Sequence, residues 1–289
     1  MNKIPLSVNN ETGRLRSVVV GIADDRSDDN HGNNPKYAEI VKRGENPSGD
    51  ILKSEMNTLA ALLEQHEVKV YRPKNIPNRT QIFARDIAFV VGDTLVKANM
   101  KLENRQKETG AIDHLATLME KVIAPPADAF IEGGDVLLWN DYVFVGLGAR
   151  TNVAGCEFLA KAFPSKKVVG LHTVVSEDPF TNIVHLDCAF QPVGDKYAII
   201  FDEGFKSRPD AIYDLFGEQN LIKVSSEEMY NMFTNVFSVS QDLVVIERNF
   251  TRLITELEKR GVKTVPINYG NVAKLGGMLR CSTLPLYRE

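Results

Sequence analysis

A chain of 289 residues that is 43% hydrophobic and 25% charged has the proportions of an ordinary globular protein and can bury a sizeable core. Its net charge of -4 argues against nucleic acid or an anionic membrane surface as the main partner. No apolar run approaches the roughly 18 residues that a membrane span requires.

In chain order, Leu15–Gly21 reads as a strand. Asp24–Gly49 is polar and broken by Asn, Asp, Gly and Pro, which predicts a long loop or lid with a short helix over Tyr37–Lys42. The stripe Leu52, Met56, Leu59, Leu63 predicts a helix over Asp50–Glu67, capped by Asp50, and Val68–Tyr71 follows as a strand. Ile87–Val91 and Thr94–Lys97 form a hairpin across Gly92-Asp93, and a helix is expected over Asn104–Glu120. A second hairpin joins Val136–Trp139 to Tyr142–Val145; a helix over Asn152–Phe163 and a strand at Val168–His172 come next. Val184–Asp187 is expected to pair with Tyr197–Phe201 across Gly194-Asp195. Helices at Pro209–Phe216 and Ser226–Thr234 precede a fourth hairpin, Val236–Val239 with Leu243–Glu247. A helix over Phe250–Arg260 and a strand at Thr264–Pro266 lead into Gly276-Gly277-Met278-Leu279-Arg280-Cys281 and a strand-like run beyond it.

The repeating unit is hairpin, helix, strand. Hairpins inside α/β units argue against a simple doubly wound sheet, and neither a GxGxxG after an early strand nor a Walker A sequence is present. No linker or shift in composition divides the chain, so one domain over residues 1–289 is expected. The opening Met1-Asn2-Lys3-Ile4-Pro5-Leu6 lacks the apolar stretch of a signal peptide, and the three cysteines are widely spaced without a CxxC. Both features predict reduced thiols in a cytoplasmic setting.

Four places set charge or a nucleophile against apolar strands: Phe83-Ala84-Arg85-Asp86, Glu132-Gly133-Gly134-Asp135, His185-Leu186-Asp187, and Gly276-Gly277 with Cys281. Taken singly, each acidic motif reads equally well as a turn or an ion pair, and a lone cysteine as a small buried hydrophobe. That is the reading for Cys156 and Cys188. His185 and Asp187 share one face of the expected strand, and the glycines between Glu132 and Asp135 let both acids converge on one site. Together the clusters suggest a thiol, an imidazole and several carboxylates in one cavity. A metal is the first alternative, but no second well-placed histidine accompanies His185. Carboxylates beside a thiol raise its pKa unless a positive charge enters, so a cationic substrate would help create the thiolate that attacks it. Guanidinium, planar with five donors, matches paired carboxylates, which makes a guanidino carbon the natural electrophile for Cys281.

At these residues the chain resembles the guanidine-modifying superfamily of arginine deiminases, dimethylarginine hydrolases and amidinotransferases. The four motifs occur in the superfamily's order, the last as Arg280-Cys281-Ser282-Thr283-Leu284-Pro285-Leu286, and the resemblance runs from about Gly13 onward. It implies a five-bladed, pseudo-symmetric α/β propeller of repeated ββαβ units with the site at its axis. It further implies that Cys281 attacks the guanidino carbon, that His185 serves as acid and then base, and that Glu132 orients and exchanges protons with the substrate nitrogens. Asp86 and Asp187 would grip the guanidinium, with Phe83 and Asp135 from the same motifs at the substrate. Arg105 and Arg150 stand where arginine deiminases hold the substrate carboxylate.

The resemblance is closest to a compact arginine-deiminase-like hydrolase that releases ammonia or an amine and a ureido product. An amidinotransferase is the alternative, because Thr12-Gly13-Arg14-Leu15-Arg16-Ser17-Val18-Val19-Val20-Gly21 looks like that branch. A non-catalytic scaffold fits least, since burying a thiol, an imidazole and carboxylates unpaired is costly. Gly276 departs from the deiminase pattern, which carries a further carboxylate-binding arginine there, so the far end of the substrate stays open. No metal or organic cofactor is implied, and the expected partner is a small guanidino compound; a homo-oligomer is left open.

Overall fold

The computed structural model describes residues 3–26 and 34–289, so residues 27–33 of the expected lid stretch lie outside the described residues. Strands β1 (Leu15–Val20) and β2 (Lys69–Tyr71) are parallel and belong to one sheet. Four further sheets follow: β3 (Ala88–Val91), β4 (Thr94–Lys97) and β5 (Val122–Ile123); then β6 (Val136–Trp139), β7 (Tyr142–Leu147) and β8 (Lys167–His172). Next come β9 (Phe190–Val193), β10 (Tyr197–Ile200) and β11 (Leu221–Lys223), then β12 (Phe237–Ser240), β13 (Leu243–Glu247) and β14 (Lys263–Ile267). The last strand, β15 (Thr283–Arg288), returns to pair antiparallel with β1, for example Val20 with Thr283, and completes the first sheet.

All five sheets have one plan. The first strand is antiparallel to the second, as Ala88 opposite Lys97 and Val136 opposite Val145, and the second is parallel to the third. A parallel pair needs a crossover, and α1 (Pro35–Lys42) and α2 (Gly49–Gln65) supply it in the first unit. Helices Val153–Ala162, Asp210–Phe216 and Thr251–Lys259 do so in three of the others. The result is a five-bladed α/β propeller of ββαβ units. First strands such as β3, β6 and β9 are buried along their whole length, while third strands such as β2, β5 and β8 are only partly buried. The first strands therefore line the interior. This explains why β3 (Ala-Phe-Val-Val) and β6 (Val-Leu-Leu-Trp) read as apolar runs, whereas β12 (Phe-Ser-Val-Ser) alternates.

Several local expectations change. α2 is capped by Ser48, whose hydroxyl accepts from the Ile51 N–H, and Asp50 lies in its first turn, where a carboxylate complements the helix dipole. The helix expected over Asn104–Glu120 is a 3-10 segment, Glu103–Ile112, followed by one α-turn, Asp113–Ala116. Three residues per turn stack Arg105 and Glu108 on one side, and both point inward. Val184–Asp187 is not a strand: Leu186–Cys188 is a 3-10 turn, and Phe190–Val193 is the strand that pairs with β10.

A polar residue sits in the turn just ahead of each first strand: Asp86, Asp135, Asp187, Asn235 and Cys281. These turns grip one another in a closed circuit. The Arg85 N–H donates to the Cys281 carbonyl at 3.0 Å, and Gly133 packs against the Arg85 carbonyl. Asp135 accepts from the Leu186 N–H at 2.9 Å, and the Thr234 hydroxyl donates to the carbonyls of Asp187 and Cys188, each at 2.9 Å. Asn235 accepts from the Cys281 N–H at 3.1 Å and closes the ring. Arg280, fully buried, crosses its centre: it donates to both Glu11 oxygens at 3.2 and 3.0 Å, to Asp187 at 2.9 Å and to the Val136 carbonyl at 2.8 Å.

Breaking such a pair strands a buried charge. Glu11→Gln should therefore cost about 3–5 kcal/mol of unfolding free energy in urea titration, and a loss below about 1 kcal/mol would show that Arg280 is not the pin described.

Candidate active site

Cys281 lies at the floor of a small cavity of about 50 Å³ whose walls include Phe83, Asp86, Arg105, Arg150 and His185. Its sulfur is 3.4 Å from an Asp187 oxygen and 3.2 Å from the Asn235 amide nitrogen. His185 Nε2 is 2.9 Å from Glu132, and its Nδ1 is 3.7 Å from Asp86. The imidazole fits because residue 134 is glycine: a Cβ there would sit 2.7 Å from the ring. Glu132 and Asp187 are fully buried behind the cavity wall. The structure thus brings Cys281, His185, Glu132, Asp86, Asp187, Arg105, Arg150 and Phe83 together from four blades and their loops, and the fifth supplies Asn235 at the sulfur.

Two expectations read differently. Asp135 is not among the residues that line the cavity: one of its oxygens accepts from the Leu186 N–H, so it braces the His185–Asp187 turn, and burial raises its pKa to about 7. Arg105, expected at the substrate's carboxylate, is engaged here by protein carboxylates. It donates to Asp86 at 3.0 Å and to Glu108 at 2.8 and 3.0 Å, and lies 3.6 Å from Glu132. A guanidinium this deeply buried requires such compensation. Arg150 lies 3.8 Å from Glu132 and also lines a larger outer cleft of about 630 Å³ with Lys101, Val175 and Asn182.

Sequence reasoning missed Glu11, Glu108, Asn235 and Asn34. Asn34 caps α1 and lines the cavity with Tyr37. Gly276 has a left-handed φ of +84°, and its missing Cβ would point into the Asn34 amide. A side chain at 276 would be strained at this φ and would displace the Asn34 amide, which occupies the space beside Gly276. Asp86, Glu132 and His185 each offer one atom within 4.8 Å of the others, a spacing that suits a metal ion. In this structure Arg105 engages one Asp86 oxygen and His185 one Glu132 oxygen, while the other oxygen of each carboxylate is buried without a hydrogen bond from the described residues.

Known proteins resemble this chain in family and in fold. The profile of the family described as N,N dimethylarginine dimethylhydrolase, eukaryotic, matches residues 31–288. The chain belongs to this family. One relative is YkgA of Bacillus subtilis (strain 168), 30% identical over 231 residues, which span 80% of this chain and 78% of the relative. Another is an arginine deiminase of Bacillus cereus (strain B4264), 24% identical over 83% of this chain and 70% of its own length. Among solved structures, the N-terminal domain of ArgZ, an arginine dihydrolase of cyanobacteria, superposes with a TM-score of 0.83 at 20% identity, covering 95% of this chain and 98% of that one. The inosamine-phosphate amidinotransferase StrB1 of Streptomyces griseus gives 0.78 at 20% identity, over 98% and 97% of the two chains. These two confirm the fold, and the family is one of guanidino-modifying enzymes. Among the described residues no helix is long and apolar enough to cross a membrane.

For a member of this family the electrostatics are informative. Burial, then Asp187 and Asp86, push the Cys281 thiol well above the ordinary range. His185 moves the other way: burial lowers it, but Asp86, the hydrogen bond to Glu132 and Asp135 outweigh burial and raise it to about 9. Glu132, although buried, is held below the usual carboxylate range by His185, Arg150 and Arg105. The resting site therefore holds a neutral thiol beside an imidazolium. Because the folded value exceeds the ordinary 6.5, His185 contributes its full stability below that pH and loses it as pH rises through about 9. An NMR titration of isotope-labelled histidines should find His185 with a midpoint near 9, and Glu132→Gln should lower it; a wild-type midpoint at or below 6.5 would contradict the assignment.

Proposed function

We propose that this protein hydrolyses a guanidino C–N bond of arginine or an N-methylated arginine through a covalent intermediate on Cys281. The observation that carries this reading is the sulfur of Cys281, 3.4 Å from Asp187, in a cavity walled by Asp86 and by His185, whose neighbouring carboxylates favour the imidazolium. Such a thiol ionises only when a cation offsets the carboxylates, and a planar guanidinium both supplies that cation and presents the carbon to be attacked.

Binding of the guanidinium between Asp86 and Asp187 lowers the thiol pKa and releases its proton to water. The thiolate forms an S–C bond with the central carbon. His185, already protonated, gives its proton to the departing nitrogen as the C–N bond breaks, and ammonia or an amine leaves. The now neutral His185 takes a proton from water, the hydroxide adds to the carbon, and the C–S bond breaks as the new hydroxyl releases its proton to solvent, returning the thiolate and a ureido product. Each step uses the chain's own side chains and water. Glu132 keeps the imidazole oriented through the 2.9 Å contact to Nε2. The far end of the substrate would pass Asn34 and Arg150 toward the outer cleft, where Arg150 and Lys101 supply positive charge for a carboxylate.

Arginine, dimethylarginine and agmatine should be incubated with the protein, with and without glycine or lysine as an acceptor. Ammonia or dimethylamine with a ureido product in the absence of an acceptor is expected, with an adduct on Cys281 in mass spectra of quenched samples and no turnover by Cys281→Ser. Product that forms only with the acceptor amine would overturn hydrolysis in favour of amidino transfer, and a fully active Cys281→Ser protein would sink the covalent mechanism.

A further inference from the structure

Of the five polar residues that precede the first strands, Asn235 belongs to none of the four motifs that point to chemistry. It is fully buried, and its side chain meets the nucleophile's turn at three points. Oδ1 accepts from the backbone N–H of Met278 at 3.2 Å and of Cys281 at 3.1 Å. Those two donors fix which way the amide faces. Nδ2 is thereby turned toward Cys281 and lies 3.2 Å from the sulfur. The preceding Thr234 is tied to the carbonyls of Asp187 and Cys188, so the same dipeptide holds the turn that carries the facing carboxylate.

We propose that Asn235 is a catalytic residue of this site, donating from its amide to the Cys281 sulfur and holding the thiolate that attacks the guanidino carbon. The inference rests on Cys281 being the nucleophile proposed above. At rest the thiol donates to Asp187, but once its proton leaves, the same contact is repulsive. Asp86 and Cys188 also oppose ionisation, the backbone of Met278 assists it, and Arg280 is committed to Asp187, Glu11 and the Val136 carbonyl. Asn235 Nδ2 is the side-chain donor whose bond strengthens as sulfur becomes an anion. Packing alone does not account for an amide here. The two backbone bonds use Oδ1, and an aspartate would accept them equally well; what the amide adds is the N–H directed at sulfur.

Asn235→Asp keeps the acceptor and removes the donor, and Asn235→Ala removes both. In folded variants, verified by an unchanged cooperative melt, kcat should fall roughly 10- to 100-fold with KM changed less than about threefold, the size expected for one lost hydrogen bond to a charged group. Independently of turnover, the pH midpoint for iodoacetamide alkylation of Cys281, followed by peptide mass mapping, should rise by at least about one unit in both variants. A folded variant with the wild-type alkylation midpoint overturns the proposal, even if kcat has dropped, because that outcome assigns Asn235 to holding the loop. An alkylation shift in a protein that turns over no guanidino compound would instead uphold the donor and sink the hydrolase reading. Should neither variant fold, the side-chain amide resonance of Asn235 in the asparagine-labelled native protein must move as Cys281 ionises. A resonance that stays put overturns the proposal.

Discussion

One oxygen of Asp187 is contacted from two sides, by Arg280 at 2.9 Å and by the Cys281 sulfur at 3.4 Å. The rest of the site follows from that sharing. Two unit charges about 4 Å apart at an effective dielectric of about 20 interact by about 4 kcal/mol, equivalent to roughly three pKa units. A thiolate beside Asp187 carries a penalty of that order, and a cation placed between them removes it. Arg280 cannot serve as that cation, because Glu11 and the Val136 carbonyl hold it on the far side of the carboxylate. The charge must come from outside, which makes the substrate part of the nucleophile's activation.

The fold makes this arrangement possible by bringing five turns to one axis. Each turn precedes a first strand, and β15, the strand after Cys281, is the one that joins the last part of the chain to β1. A cysteine close to the end of the sequence is therefore as central as Asp86 or Asp187. The same circuit explains why the acids have different roles. Asp135 faces the backbone of the neighbouring turn and braces it, Asp187 faces the sulfur, and Asp86 faces both Arg105 and His185. α1 closes the cavity from above with Asn34 and Tyr37. The space beside Gly276 is thus set by Asn34 as much as by the glycine.

Most hairpins were legible because their strands carry apolar runs bounded by turn residues, as in β6 and β7. The strands β5 and β11 were not, since two or three residues leave no periodicity to read. Leu186 and Cys188 flank Asp187 with buried apolar groups, and over so short a stretch a 3-10 turn and a strand look alike. The four motifs were recognisable from charge set against strands. Asn235 was not, because an asparagine ahead of a strand usually marks an ordinary turn. Glu108 and Glu11 escaped for another reason: their partners, Arg105 and Arg280, take on meaning only when burial forces a compensating charge.

The most direct measurement is the ultraviolet thiolate absorbance of Cys281 as a function of pH, taken as the difference from Cys281→Ser, with and without methylguanidinium, read by rapid mixing before turnover. The account predicts a thiol that stays protonated well above neutral pH in the free protein and a midpoint that falls by more than about one unit when the cation is present. A thiolate already formed at neutral pH in the free protein, or a midpoint that methylguanidinium leaves unmoved, would contradict it.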